Sequence, residues 1–160
     1  MYTFYMKRII TLMLFSILAY TPCAAETLPG PITAKVTRII DGDTFDVRAQ
    51  IWVGHYIETR VRLTGLDTPE IRGKCDSERQ QARAAQDRLK HLIADKEIIL
   101  ENIENGKYAG RVLAAARTSG GLDIKDTLIA EGFARAYDGG KRLGWCDVTD
   151  YSDETAMISP

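Results

Sequence analysis

The sequence predicts a mainly β domain with two helices, an α+β fold in which five short strands close into a barrel. Three observations carry that expectation. Segments with alternating apolar and polar residues, rich in β-branched side chains, lie on both sides of one long amphipathic segment. Their order is three strands, a helix, two strands and a helix. The turns joining the first three strands are short enough for a meander. The chain has 160 residues and is 45% hydrophobic, which suits one ordinary globular domain.

The elements follow in order. "ITAKVTRII", residues 32–40, alternates and reads as the first strand. "DGD" then supplies a hairpin turn, and "TFDVRAQIWV" continues as the second strand. "GH" reverses the chain into "YIETRVRLTGL", residues 56–66. Along that third strand Ile57, Thr59, Val61 and Leu63 share one face, and Glu58, Arg60, Arg62 and Thr64 the other. Gly65 near its end marks a bulge or a sharp bend. "SERQQARAAQDRLKHLIA" carries Ala82, Ala85, Leu89, Leu92 and Ile93 at helical spacing, with Ser77 and Gln80 matching a capping box. "KEIILENIE" and "GRVLAAAR" read as strands four and five, and "LDIKDTLIAEG" as a shorter helix closed by Gly132. A three-strand meander, a helix and a closing strand pair suit an OB-type barrel, a fold that often hosts nucleic-acid sites without proving one.

The ends of the chain read differently. "MYTFYMKR" carries two cations, "IITLMLFSILAY" is an apolar run, and "TPCAA" offers small residues for cleavage. Residues 1–25 are therefore expected to be a signal peptide, cleaved after Ala25, which predicts export to the periplasm or beyond with no membrane anchor left. The OB-type barrel domain is expected at residues 31–146. Residues 147–160 hold four acids and no base and read as an acidic disordered tail. After cleavage 19 cations face 22 anions, so the chain is no blanket polycation, and any grip on a polyanion has to be local. Export would also leave two cysteines, Cys75 and Cys146. An even count in an oxidising compartment predicts one disulfide, whose loop of about 72 residues is worth roughly 4.4 kcal/mol in the chain-entropy description.

The chemistry concentrates in three stretches. Each has a plain structural explanation. "DGDT" is a turn, Thr68 with Pro69 starts a helical turn, and Arg62 and Arg111 are solvated strand arginines. Together they suggest more. Asp43 and Asp67 end neighbouring strand segments, and with a backbone carbonyl such as that of Thr68 they suffice for a hard cation that keeps waters. Arg62 and Arg111 can grip phosphate with forked hydrogen bonds. Glu70 is left to orient or deprotonate water. This is equipment for phosphodiester hydrolysis. It requires strand three to curl at Gly65, because five residues separate Arg62 from Asp67, roughly 16 Å when extended. His55 and His91 are not paired into a zinc site, and Trp145 reads as packing.

"IIDGDTF", "VRLTGLDTPE", "KYAGRVLA" and "LIAEGFARAY", in that order over about residues 33–137, resemble the staphylococcal nuclease (thermonuclease) family. The resemblance implies an OB-type barrel with packed helices and a calcium-dependent hydrolase acting on DNA and RNA, leaving 3′-phosphates. It implies Asp43, Asp67 and Thr68 as calcium ligands, Arg62, Glu70 and Arg111 as the catalytic trio, and Asp41 as an acid behind the metal. Lys107, Tyr108 and Tyr137 fall where the family contacts nucleotides. A monomer that prefers single strands is expected, since an aromatic stacks only on an exposed base. Two departures stand out. Asn105 and Ala109 alter the loop around Lys107 and Tyr108, and "DGGKRLGWC" replaces a long third helix. The Cys75–Cys146 bridge is expected to pin that shortened end onto the loop after Glu70. The alternative reading is a non-catalytic OB-fold module that binds nucleic acid.

Overall fold

The computed structural model describes residues 26–146. The expected signal peptide and acidic tail lie outside the described residues. In chain order the elements are β1 (Thr27–Leu28), β2 (Ile32–Ile39), β3 (Thr44–Trp52), β4 (His55–Leu63), β5 (Leu66–Asp67), α1 (Asp76–Ile93), β6 (Glu97–Asn105), β7 (Arg111–Thr118), α2 (Ile124–Ala130) and β8 (Arg135–Ala136).

Strands β2, β3, β4, β7 and β6 pair in that order, and β6 returns to β2, so the sheet closes into a five-stranded barrel. All these pairings are antiparallel except β4 with β7. The alternation of the sequence is the alternation of the barrel wall. Val36, Phe45, Val47, Val61, Leu63, Ile98, Leu100 and Ala114 point inward and are buried. Helix α1 lays Leu89, Leu92 and Ile93 on the same core, joined by Ile124 and Leu128 of α2. Each large apolar side chain buried this way contributes about 1.5–3 kcal/mol relative to exposure.

Two elements differ from expectation. Helix α1 starts at Asp76, and its N-cap is Cys75, whose Sγ accepts from the Glu78 amide. Ser77 lies inside the first turn, so the capping box at Ser77 and Gln80 does not form. The chain is still extended at Cys75 (φ −132°, ψ 163°), which sets the helix start two residues ahead of the box. The third strand is also broken. It leaves the barrel after Leu63, turns at Gly65 (φ +78°), where a side chain would be strained, and resumes as β5 against β8 in a separate two-stranded sheet. The curl required at Gly65 is therefore present. It carries Asp67 off the barrel wall and toward the turn that precedes β3.

Candidate active site

That turn, residues 41–43, is the first wall of the site. Its geometry depends on contact with the residues after Gly65. A Cβ placed on Gly42 would stand 2.8 Å from the Ala85 Cβ and 3.1 Å from the Thr68 Cβ. The glycine and the small Ala85 let the turn, α1 and Thr68 close on one another. Asp43 is only 1% exposed. Its Oδ1 accepts from the Thr44 hydroxyl (2.7 Å) and from an Arg62 guanidinium nitrogen (2.9 Å). The other Arg62 nitrogen lies 2.8 Å from Oδ2 but without hydrogen-bond alignment. The Asp43 amide donates to Asp41 Oδ1 (3.1 Å), so Asp41 shapes the turn.

Burial dominates the electrostatics of Asp43. Desolvation pushes its carboxyl up from 3.8 to about 7, against the lowering pull of Arg62, and Asp41 adds to the rise.

The second wall comes from β5 and the loop after it. Asp67 is 4% exposed and Thr68 and Pro69 are buried, whereas Glu70 reaches solvent. Asp67 Oδ2 accepts from the Trp145 indole Nε1 (3.0 Å). Its Oδ1 lies against an Arg142 guanidinium nitrogen, again without hydrogen-bond alignment. Arg142 also donates to Glu70 Oε1 (2.6 Å) and to the Thr68 carbonyl (3.1 Å). Burial works against the Arg142 charge, but Glu70 and Asp67 outweigh it and hold the guanidinium more firmly protonated. Glu78 of α1, buried, accepts from the Lys74 amide (2.9 Å) and the Glu70 amide (3.4 Å), fixing the loop that carries Glu70.

Arg111 opens β7. Its register partner on β4 is Arg60, and Arg62 pairs with Leu113. The inward residues of this pair of strands include Val61, Leu63 and Ala114, so Arg60, Arg62 and Arg111 share the outer face, with Arg111 diagonal to Arg62. Arg60 is committed elsewhere, to Asp46 at 2.8 Å. Arg111 keeps a buried Nε with no hydrogen-bond partner, and its guanidinium carbon lies 4.8 Å from the Tyr108 ring centroid. Lys107 and Tyr108 are exposed in the loop ahead of it. Tyr137 is half-buried, donates to the Gly140 carbonyl (2.7 Å), and lines a cavity of about 410 Å³ with Asp67 and Lys141.

The walls so built fit a hard divalent cation. Two buried carboxylates each keep an oxygen, Asp43 Oδ2 and Asp67 Oδ1, that no hydrogen bond satisfies, and the Thr68 carbonyl belongs to the same wall. An all-oxygen set with two negative charges suits calcium with retained waters. Among the described residues, the one group of three His, Cys, Asp or Glu side chains whose ligand atoms lie within 4.8 Å of one another is Cys75, Glu78 and Cys146. Its two sulfurs are bonded to each other, so they offer no thiolate.

Two side chains escaped the sequence reading. Trp145, read as packing, is buried but also holds Asp67 in place, and Arg142 joins Asp67, Thr68 and Glu70. Both reach the site across more than 70 residues of chain. The one available signal is the adjacent Cys146, whose bond to Cys75 brings this segment to the loop after Glu70, as expected.

No curated protein matches the chain. A family model described as "Staphylococcal nuclease homologue" matches residues 60–144, more than half of the chain. The stretch runs from β4 past β8, and so takes in Arg62, Asp67, Thr68, Glu70, Arg111 and Arg142, while Asp41 and Asp43 precede it. With the closed barrel and its two helices, this match shows that the chain belongs to the staphylococcal nuclease homologue family.

Proposed function

We propose that the protein is an exported, calcium-dependent nuclease that hydrolyses phosphodiester bonds of DNA and RNA and leaves 3′-phosphate ends. One observation carries the reading. Gly42 of the turn that carries Asp43 packs against Thr68, which supports a reading in which the Asp43–Arg62 pair and the Asp67–Thr68–Glu70 wall line one place.

Asp43, Asp67 and the Thr68 carbonyl would hold calcium, which when bound supplies Lewis-acid polarisation of a phosphoryl oxygen. Glu70 orients the attacking water and takes its proton on a carboxylate oxygen. As the water oxygen bonds to phosphorus the bond from phosphorus to the 5′-oxygen breaks, and the 5′-oxygen leaves as a hydroxyl after taking a proton from solvent. Arg62 and Arg111 donate to the non-bridging oxygens as charge gathers on them, and being preorganised on one barrel face they do so without reorganisation. Asp41 keeps the Asp43 turn in shape. Lys107 and Tyr108 meet phosphate and base ahead of Arg111, and Tyr137 offers a ring beside Asp67, a stacking surface that favours single strands. Residues 1–25 direct export, and the mature chain works as a monomer.

The test uses end-labelled DNA and RNA with the purified protein, once with calcium and once with chelator. Calcium-dependent cleavage supports the reading, and calcium-independent binding without cleavage refutes it. The second result would point to a non-catalytic nucleic-acid-binding barrel, which one observation favours, the engagement of Glu70 by Arg142.

A further inference from the structure

Arg142 stands on a segment with no regular secondary structure, yet its backbone surroundings are held on several sides. Cys146 is bonded to Cys75 at the start of α1. Trp145 is buried, with its indole on Asp67 and the Arg135 guanidinium carbon 3.7 Å from its ring centroid. Arg135 also donates to the Gly144 carbonyl (2.9 Å). These ties deliver the Arg142 side chain to one place, where it meets Glu70 Oε1, the Thr68 carbonyl and Asp67 Oδ1 together. A side chain with an ordinary surface role would pair with exposed acids, but Asp67 is buried.

We infer that Arg142 is the resident counter-ion of the carboxylate site: its guanidinium occupies the oxygens of Asp67, Thr68 and Glu70 that a divalent cation and its water need, and a cation loads only as Arg142 lets go. The inference rests on the calcium reading of Asp43, Asp67 and Thr68. An ion bound by Asp67 and the Thr68 carbonyl takes its oxygens at about 2.3–2.6 Å, which puts it within about 6 Å of a guanidinium holding the same atoms. Two positive charges that close repel strongly, and the oxygen lone pairs cannot serve both. The backbone ties hold the segment while the side chain keeps freedom to leave. It is 39% exposed, and a cavity of about 440 Å³ beside it, lined by Arg72, Lys74 and Leu143, has room for it.

The test reads binding directly. Terbium, a hard ion with calcium-like oxygen preference, is titrated into the full-length protein, and its luminescence is excited through Trp145, which touches Asp67. Calcium competition then gives a calcium Kd. Wild type, Arg142→Gln, Arg142→Lys and the site control Asp43→Asn are compared, with near-UV circular dichroism as the check on folding. The expected result is calcium binding at least about tenfold tighter in Arg142→Gln, with Arg142→Lys between it and wild type, because lysine keeps the charge but not the fork. Site binding, recognised by its loss in Asp43→Asn, that is unchanged or weaker in both Arg142 variants overturns the inference and leaves the calcium reading standing. If no protein shows binding that Asp43→Asn removes, the calcium reading fails and the role of Arg142 falls with it.

Discussion

The buried Asp43 makes a stability prediction that needs no substrate. Its carboxyl titrates near 7 in the folded protein and near 3.8 when unfolded, and burial is the main cause. A group whose folded value is raised contributes stability that is full below the unfolded value and is lost as pH rises through the folded one. In calcium-free buffer the wild type should therefore lose stability between about pH 4 and about pH 7. The span corresponds to on the order of 2–4 kcal/mol, at about 1.4 kcal/mol per unit of displacement. For a domain of this size that is a fall in Tm of roughly 10 °C. Asp43→Asn keeps acceptors for Thr44 and Arg62 but removes the titration. Its Tm should lie closest to the wild type's near pH 4 and exceed it at pH 8. Calcium at pH 8 should raise the wild type and leave the variant where it is. Thermal melts monitored by circular dichroism in chelator, at four pH values, measure this. Groups that titrate in both proteins cancel in the difference. Parallel Tm–pH curves for the two proteins would refute the argument from burial.

Other perturbations follow from the same geometry. Arg62→Lys should reduce kcat by about a hundredfold or more with little change in Tm, because a point charge cannot reproduce the fork, and steady-state kinetics on denatured DNA with a parallel melt would show it. Gly42→Ala forces a methyl group against Ala85 and Thr68 and should cost about 1–3 kcal/mol in urea unfolding, with a loss of cleavage from the displaced Thr68 wall. Cys75→Ser with Cys146→Ser should lower stability by roughly 2–4 kcal/mol, since the bridge joins residues 71 apart, and denaturant titration measures the difference.

The barrel was legible because its strands face water on one side and a single core on the other, so Val61 and Leu63 alternate with Arg60 and Arg62 in sequence as in space. The α1 stripe from Ala82 to Ile93 was legible for the same reason at helical period. The two-residue strands β1, β5 and β8 are too short to show any period. Helix α1 starts ahead of the Ser77–Gln80 pattern because the extended backbone at Cys75, which local capping residues do not reveal, sets its cap. The carboxylates and Arg111 stood out because each lies next to or near a turn, a glycine or a proline, and Arg62 because it is a cation on the outer face of a strand. Arg142 and Trp145 did not, because their partners are fixed by tertiary contact and a disulfide, and neither leaves a pattern among neighbouring residues.

The central claim is that folding gathers a cation's acidic holders and a pair of guanidiniums around one phosphorus atom. The most direct measurement is the fate of a 5′-labelled single-stranded oligonucleotide incubated with wild type, Asp43→Asn, Arg62→Lys and Glu70→Gln in calcium. The account predicts that wild type yields fragments whose mobility shifts on phosphatase treatment, as 3′-phosphates do, and that each substitution slows their appearance by a hundredfold or more. Equal cleavage by wild type and all three variants would contradict it.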